Sequence, residues 1–284
     1  SHGERCIGAG WSQKRVKTMH SIAYLLLAVC VGWGGTVAWA QACVKTVRWF
    51  DDAPYAYRGA DGQLLGFDVE MTRAALKQLG CEARWVDMPW ARALIELKAG
   101  RLDVLPGAFQ RPEREAYAYF SRPVIRSRNV LFVRRAVAGR YPIRQLSDLL
   151  GTDFRLGAQI GVSYGPSYDA LMGNPAFRAR ITPVNAARNA WQMMERDRLD
   201  GLISDEISGL MDLDELGMRT TVVKTPVVVS DDPSRIAFSK STNDAAFVRA
   251  FDQALQSMLA DGRYRDIAQR TLPCPVSIEK LGCK

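Results

Sequence analysis

The 284-residue sequence predicts an α/β fold with two lobes and a cleft between them. The length suits two lobes of roughly 100 residues each. Strand and helix patterns alternate in the first half of the chain, alternate again in the second half, and end with one more strand and helix. A chain that returns in this way suggests that its first and last segments share a lobe.

The first 42 residues are interpreted as a leader and signal peptide. Lys14, Arg15 and Lys17 lie shortly before Met19, an apolar run covers 22–35, and small-x-small cleavage patterns follow at 38–42. The apolar run is too short to span a bilayer comfortably, which favours a cleaved signal over the alternative of an N-terminal membrane anchor. We therefore expect the mature chain to be located in the periplasm.

The cysteines of a secreted chain are expected to form disulfides. Two of the six cysteines belong to the leader, and the four that remain are Cys43, Cys81, Cys274 and Cys283. Four cysteines allow three pairings. If the first two predicted strands are parallel neighbours, Cys43 can reach Cys81, and a Cys274–Cys283 bond would then close a short C-terminal loop.

Composition excludes several kinds of site. The two histidines, His2 and His20, lie in the leader, and no Cys-x-x-Cys pair occurs. A zinc site or catalysis by a histidine base is therefore not expected, and no cofactor is predicted. The net charge is +8, about +5 without the leader, but the arginines are scattered, which disfavours nucleic-acid binding.

The strand and helix patterns predict a parallel sheet in each half of the chain. In the first half, strands are predicted at 44–50, 81–88 and 102–109, and helices at 67–80 and 89–101. In the second half, strands are predicted at 154–163, 180–184 and 199–205, and helices at 164–172, 185–198 and 206–217. The final pair is a strand at 234–240 and a helix at 244–262.

Several short motifs together resemble one protein family. Gly-Phe-Asp at 66–68, Pro-Glu-Arg at 112–114 followed by Phe120-Ser121, and the pair Asp200 and Asp205 occur in the same order as in periplasmic solute-binding proteins of ABC transporters. The resemblance is to the polar amino acid-binding family (bacterial extracellular solute-binding protein family 3) and runs from about 44 to 272.

This resemblance implies the two-lobed periplasmic-binding-protein fold of type II. Lobe 1 would comprise 43–131 and 236–284, and lobe 2 would comprise 132–235. Crossover strands near 130–135 and 227–235 would join the lobes, and hinge closure would trap a ligand between them.

Arg114 occupies the family position that binds the carboxylate of the ligand. A guanidinium offers a rigid two-pronged donor, which suits that role. The alternative is that Arg114 pairs with Glu113 or Glu115 on a solvated helix start. Arg111 either adds a second donor or lies at the surface.

Lobe 2 supplies further candidate ligand-binding residues. Gly161, Val162 and Ser163 resemble the family turn whose backbone N–H groups face an anion, although the same turn also suits an ordinary helix cap. Asp205 occupies the position that binds the ammonium of an amino acid; the alternative is that it caps the helix at 206–217.

Lobe 1 supplies candidate residues for the wall of the cleft that faces lobe 2. Asp52 and Tyr55 lie in a loop that packs an aromatic ring on the ligand in related proteins, and Gly107 belongs to the same candidate set. Trp90 suits either this wall or the core. Phe109 departs from the family, which usually has Thr or Ser at that position, and it leaves the ligand class open.

The leading hypothesis is a monomeric periplasmic receptor that delivers a small carboxylate-bearing solute, an amino acid or a related compound, to an ABC permease in the inner membrane. Two alternatives stay open. One is an enzyme on the same fold, similar to cyclohexadienyl dehydratase. The other is a ligand sensor that docks on a membrane partner.

Overall fold

The structure is a computed structural model that describes residues 42–273, and this part of the chain forms two α/β lobes, as predicted. The leader and the Cys274–Cys283 pair lie outside the described residues. Within 42–273, no helix is both long enough and apolar enough to cross a membrane.

The first sheet has the strand order β4-β1-β5-β13-β6, with β7 beside β13. The central pairs β1/β4 and β1/β5 are parallel, whereas β13 runs antiparallel to its neighbours. The strands of this sheet are β1 (Cys43–Trp49), β4 (Cys81–Asp87), β5 (Val104–Ala108), β6 (Ala118–Phe120), β7 (Ile125–Arg126) and β13 (Pro233–Ser239). A small hairpin pairs β2 (Tyr57–Arg58) with β3 (Leu64–Leu65).

The second sheet has the order β10-β9-β11-β8-β12. Its β9, β10 and β11 are parallel, and β8 is antiparallel to both of its neighbours. The strands are β8 (Asn129–Arg134), β9 (Leu156–Gln159), β10 (Ile181–Val184), β11 (Gly201–Asp205) and β12 (Val222–Ser230).

The helices follow the predicted pattern for most of the chain. They are α1 (Phe67–Gln78), α2 (Trp90–Lys98), α3 (Pro112–Glu115), α4 (Arg135–Ala138), α5 (Pro166–Met172), α6 (Pro175–Arg178), α7 (Ala187–Glu195), α8 (Glu206–Glu215), α9 (Ala245–Ala260) and α10 (Arg263–Thr271), with a 3₁₀ turn at Leu146–Leu149. The segment 154–163, predicted as a strand that ends in a glycine-containing turn, forms β9 over Leu156–Gln159 and then turns at Gly161.

Each sheet has an apolar core on both faces. In β5, Val104 packs with the cluster under α1 and α9, while its neighbour Leu105 packs under α2. In β8, Leu131 and Phe132 likewise enter two different clusters. This alternation is what a strand with period two requires when helices cover both of its faces.

Two short segments connect the lobes. Between β7 and β8 the chain passes through Ser127 and Arg128, and between β12 and β13 it passes through Asp231 and Asp232. The change from one sheet to the other therefore occurs at 127–128 and again at 231–232.

The predicted Cys43–Cys81 disulfide is present, with 4.5 Å between the Cα atoms. The two cysteines are directly opposite each other at the start of the parallel strands β1 and β4. The bond therefore joins two neighbouring strands at their first residues, as the parallel arrangement requires.

Candidate ligand-binding cleft

A cavity of about 210 Å³ lies between the lobes and is lined by residues of both lobes and of the crossover region. Nine of the ten predicted site residues line it, and Gly161 is the exception. The nine are Asp52, Tyr55, Trp90, Gly107, Phe109, Arg114, Val162, Ser163 and Asp205. The carboxyl ends of the central strands β1, β5 and β11 meet at this cavity, which is where open α/β sheets bind ligands.

The Gly-Phe-Asp motif positions the loop that carries Asp52 and Tyr55. The backbone N–H of Asp68 donates to the carbonyl of Tyr55 at 3.0 Å. Gly66 has a φ of +118°, and a Cβ at this position would lie 2.4 Å from the same carbonyl oxygen. Only glycine therefore allows the start of α1 to approach the loop this closely.

Arg114 is 6% exposed and donates from Nη1 to the carbonyl of Phe109 at 3.0 Å and from Nη2 to the carbonyl of Gly161 at 3.1 Å. Within the described chain it forms no ion pair with Glu113 or Glu115. A guanidinium has five N–H donors, so three have no acceptor among residues 42–273, and Arg114 lines the cavity. Burial lowers the pKa of Arg114, but a guanidinium keeps its charge at neutral pH.

Gly161 contacts lobe 1 through its carbonyl. That oxygen accepts a second hydrogen bond from the indole Nε1 of Trp90 at 3.0 Å. Gly161 has a φ of +79°, and a Cβ there would lie 3.3 Å from the Cα of Ala91. The turn is therefore packed against α2, and Trp90 acts as a contact between the lobes as well as a wall of the cavity.

The backbone donors of this turn are arranged differently from the expectation. The N–H of Val162 donates to the carbonyl of Gln159 at 3.3 Å, inside the turn itself. Helix α5 begins at Pro166, with Gly165 as its cap, so the turn is separated from the helix by two residues. The hydroxyl of Ser163 lies at the cavity and is the polar side chain that the turn contributes.

Arg111 connects the lobes. Its Nε donates to Oγ of Ser163 at 2.8 Å, and its Nη2 lies 2.6 Å from Oδ2 of Asp232 in the crossover segment. Arg111 contacts the opposite lobe and the hinge and is absent from the cavity lining, so it is more than a surface residue, and its role as a second donor stays a prediction.

Asp205 accepts four hydrogen bonds, three at Oδ1 and one at Oδ2. As the N-cap of α8, its Oδ1 accepts from the backbone N–H of Ile207 at 3.0 Å and of Ser208 at 2.9 Å. The hydroxyl of Tyr55 donates to Oδ1 at 3.0 Å, and the hydroxyl of Ser127 donates to Oδ2. Burial raises the pKa of Asp205, and these hydrogen bonds oppose that rise.

Six charged residues of the cavity lining were missing from the sequence prediction: Arg48, Asp51, Asp68, Arg188, Asp212 and Glu215. Arg48 lies near the end of β1, donates from Nε to the carbonyl of Met88 at 3.1 Å, and has its guanidinium 5.4 Å from the ring of Trp90. Burial lowers the pKa of Arg48 to about 10. Asp68 belongs to a motif that the sequence indicated, but its side chain was not assigned to the site.

Burial raises the pKa of Asp52 to about 7 and that of Asp68 to about 7, and the positive charge of Arg48 opposes both shifts. Repulsion from Asp205 adds to the rise at each. Asp52 has the accessible area of an exposed residue, but it lines the cavity between the lobes, where protein lies on several sides of it. We attribute its pKa to this enclosure, so that opening the cleft would lower it.

The cavity combines aromatic walls with charged groups of both signs. Phe109 lines it, with the Arg111 guanidinium 5.5 Å from its ring, and Trp49, Phe50 and Trp85 complete the apolar surface. Among residues 42–273, no group of three or more histidine, cysteine or acidic side chains could hold a metal ion. The cavity is thus suited to a small organic molecule with charged ends.

A model of the bacterial extracellular solute-binding proteins, family 3, matches residues 49–273. The chain is similar to the L-cystine-binding protein TcyJ of Escherichia coli (strain K12), with 24% identity over 220 residues, which are 76% of this chain and 77% of TcyJ. It is 27% identical over 221 residues to the arginine-binding extracellular protein ArtP of Bacillus subtilis (strain 168), covering 78% of this chain and 82% of ArtP.

Among solved structures, the fold is similar to a histidine kinase sensor domain that itself resembles periplasmic binding proteins. The TM-score is 0.70 at 21% identity, covering 83% of this chain and 97% of the sensor domain. Because the family model covers most of the chain and the motifs lie around one interlobe cavity, the chain belongs to the bacterial extracellular solute-binding proteins, family 3.

Proposed function

We propose that this chain is a periplasmic receptor that captures a small amino acid, or a related carboxylate-bearing solute, and delivers it to an ABC permease of the inner membrane. One observation carries the proposal: the buried guanidinium of Arg114 lies at the cavity between two lobes with three N–H donors unused. A carboxylate fits a planar donor of this kind, and exclusion of water strengthens the pairing.

The interlobe contacts support a mechanism of capture by closure. Trp90 and Arg114 of lobe 1 both donate to the carbonyl of Gly161 in lobe 2, and Tyr55 of lobe 1 donates to Asp205. These bonds surround the cavity and would break when the lobes separate. A ligand that bridges the lobes would favour the closed arrangement and would be held until a membrane partner opens it.

We propose binding rather than conversion of the solute, by a monomer. The charged cavity groups are placed as partners for a ligand of opposite charge, and the relatives described above carry the names of binding proteins. Incubation with each bound solute, followed by chromatography of the supernatant, tests this directly. Recovery of a chemically altered solute would show an enzyme instead.

Replacing Arg114 tests the carboxylate assignment. Arg114→Ala leaves a desolvated carboxylate unpaired, which should cost about 2–5 kcal/mol of binding free energy. Arg114→Lys should recover only part of this loss, because an ammonium cannot form the two-pronged contact. Calorimetric titration with L-cystine, L-arginine and the other standard L-amino acids measures the affinities, and mass spectrometry of the denatured protein identifies any solute that co-purifies.

Arg219→Ala is the matched control. Arg219 pairs with Asp214 on the outer part of α8 and is absent from the cavity lining. Its replacement should leave the affinity unchanged, and thermal unfolding of all variants separates loss of binding from loss of folding. Affinity equal to wild type in Arg114→Ala would reject the proposed role of Arg114.

A further inference from the structure

The edge of the second sheet that faces away from the cavity is rich in arginine. The parallel strands β9, β10 and β11 end at the cavity with Gln159, Val184 and Asp205, so they begin at the opposite edge, where the antiparallel β8 ends. We call this the distal edge and define it by four segments: 134–135, 153–155, 178–180 and 195–200. These segments hold seven arginines and four acidic residues, a formal net charge of +3.

Backbone hydrogen bonds join the four segments laterally. The N–H of Leu156 donates to the carbonyl of Arg180 at 3.0 Å, which links the starts of β9 and β10. The N–H of Asp200 donates to the carbonyl of Arg155 at 2.9 Å, and the carbonyl of Asp200 accepts from the N–H of Arg134 at 2.9 Å. Neighbouring strands lie about 4.8 Å apart, so these four strands spread the arginines over a width of about 15 Å.

The acidic residues of the distal edge neutralise only part of its positive charge. Asp200 is buried and accepts from the Arg155 guanidinium at both carboxylate oxygens, at 2.9 and 2.7 Å. Asp197 pairs with Arg134, and Asp153 pairs with an arginine that lies outside the edge. Three of the four acids are therefore already used by arginines that are held within the fold.

Five exposed arginines of the distal edge form no ion pair within 4.0 Å among the residues that the structure describes. They are Arg135, Arg178, Arg180, Arg196 and Arg198. Main-chain carbonyls orient two of them: Nε of Arg135 donates to Thr220 at 2.8 Å, and Nη1 of Arg178 donates to Met172 at 3.1 Å. The edge therefore presents several separate guanidinium groups to solvent.

The equivalent edge of the first sheet lacks this concentration of charge. It lies at the starts of β4 and β5 and at the end of β13, where 79–80, 101–103 and 240–241 carry two basic residues and one acidic residue. One of the two basic residues, Arg101, pairs with Glu96. The unpaired arginines are thus a property of lobe 2 and not a consequence of the α/β topology that both lobes share.

We propose that the distal edge binds the surface of a membrane that contains anionic phospholipids. A guanidinium matches the geometry of a phosphate, and a row of separate arginines matches a plane of many phosphates. Protein–protein interfaces depend more on aromatic anchors, whereas the single aromatic residue of the distal edge, Phe154, is fully buried inside lobe 2. A lipid surface therefore fits the edge better than an acidic protein does.

Binding at the distal edge would leave the cavity accessible to solute. The cavity lies at the opposite ends of the same strands, and none of the five arginines lines it. A receptor attached in this way would stay near the membrane while its cleft faces the periplasm. The inference shares with the proposed function only the location in the periplasm and does not depend on which solute is bound.

The test measures how much of the secreted protein sediments with lipid vesicles. The vesicles contain phosphatidylcholine alone, or phosphatidylcholine with about one third phosphatidylglycerol, which supplies the anionic surface. The distal variant combines Arg180→Gln, Arg196→Gln and Arg198→Gln. Within residues 42–273 these three side chains form no hydrogen bond or ion pair, so their replacement should not disturb folding.

A control variant removes the same charge from lobe 1. It combines Arg84→Gln, Arg249→Gln and Arg265→Gln, which lie on β4, α9 and α10. All three arginines are exposed, and none forms an ion pair within the described chain. Wild type and both variants share one N-terminus, so any contribution from that segment is common to all three.

We expect wild type to bind the vesicles that contain phosphatidylglycerol and not those of phosphatidylcholine alone. The distal variant should bind about 100-fold more weakly, at about 5-fold for each arginine, and the control variant should lose much less. Added sodium chloride should weaken binding by screening. Inorganic phosphate at the same ionic strength should release no more protein than chloride does, because the proposed partner is an extended surface.

Three results would overturn the inference. The first is failure of wild type to bind the anionic vesicles; retention on poly-L-glutamate through the distal edge would then identify an acidic protein surface instead. The second is equal weakening by the distal and control variants, which would indicate an effect of net charge alone. The third is selective release by inorganic phosphate, which would indicate a site for a single anion. Thermal unfolding confirms that folded proteins are compared, and amino acid titrations of wild type test the proposed function separately.

Discussion

Asp205 connects three parts of the molecule through a single carboxylate. It caps α8 in lobe 2, receives the hydroxyl of Tyr55 from lobe 1, and receives the hydroxyl of Ser127 from the crossover segment. An aspartate between a strand and a helix suits both a ligand site and a helix cap, so residue type and spacing alone left its role open. The structure shows that Asp205 caps α8 and also lines the cavity, so the cap is observed and the ligand role stays a prediction.

Gly66 is the residue whose replacement should disturb lobe 1 most. Gly66→Ala adds a Cβ at 2.4 Å from the carbonyl of Tyr55, in a backbone region that alanine rarely adopts. We expect the free energy of unfolding to fall by about 1–3 kcal/mol from the backbone conformation alone, with a further loss from the clash. Urea denaturation followed by circular dichroism measures it.

Gly80→Ala is the matched control at the other end of the same helix. Gly80 also has a positive φ, +71°, but a Cβ there would meet nothing within 4 Å. Replacing Gly80 should therefore lower the free energy of unfolding only through the backbone conformation, by about 1 kcal/mol. Equal stability losses in the two variants would show that the contact with Tyr55 has no energetic importance.

At the scale of elements, a buried glutamate links α8 to the crossover segment between β7 and β8. Glu206, in the first turn of the helix, is fully buried and is bonded by the guanidinium of Arg128, with 2.7 Å to Nε, and by the ammonium of Lys224. An acidic side chain is favoured at a helix N-terminus, and its two cations come from the crossover segment and from β12. This network connects α8 with the segment before β8 and with β12.

The Cys43–Cys81 disulfide should contribute substantially to stability. It closes a loop with a sequence separation of 38 residues, for which the chain-entropy relation gives up to about 4 kcal/mol. Replacing both cysteines by serine should lower the free energy of unfolding by about 2–4 kcal/mol, measured by urea denaturation. An unchanged denaturation midpoint would show that the pairing of β1 with β4 is sufficient without the bond.

Periodicity predicted the elements whose apolar pattern is regular. The alternation from β1 to β5 was predicted within a few residues, because each strand is an apolar run and each helix has one apolar face. The segment 154–163 was predicted to end in a glycine-containing turn, and Gly161 has the positive φ of such a turn; the apolar run did not show that the strand itself ends at Gln159. Helix α10 was not predicted, since most of its residues are polar.

Cavity residues that belong to the family motifs were predicted from the sequence. Cavity residues whose position depends on tertiary contacts were missed. Arg114 and Ser163 line the cavity, as the motifs suggested. Arg48 lies in a strand where a charged residue suggests a solvent-facing position, and its placement depends on the carbonyl of Met88, 40 residues away. Sequence spacing carries no signal for such a contact.

At the scale of the whole molecule, closure brings acidic groups together in an enclosed space. Asp52 faces Arg48, Asp68, Asp205 and Asp212, and the pKa of Asp212 is also raised by burial. Three of the four neighbours of Asp52 are therefore acidic. The closed form should accordingly hold protons that the unfolded chain releases, which couples stability to pH.

We expect the ligand-free protein to become less stable as pH rises from about 5 to about 7.5. The pKa of Asp52 and of Asp68 is about 7 in the closed form, against about 4 in the unfolded chain. Between these values the folded protein binds more protons than the unfolded one, so the free energy of unfolding falls with rising pH. Groups with a lowered pKa, such as Asp103 and Asp200, act in the opposite direction only near and below pH 4.

Ligand affinity, unlike stability, should increase as the pH rises. A cationic group needs ionised carboxylates, so binding of a zwitterion should strengthen between pH 6 and 8 as the proton leaves Asp52 and Asp68. Calorimetric melting temperatures and binding constants measured at pH 5, 6, 7 and 8 test both trends in one series. The double variant, Asp52→Asn with Asp68→Asn, should reduce the pH dependence of both stability and affinity, because it removes the two titrating groups and keeps the size of the side chains. A ligand-free protein that becomes more stable over this range, or an affinity that weakens, would mean that the two carboxylates are already ionised in the closed cleft and that another group compensates their charge.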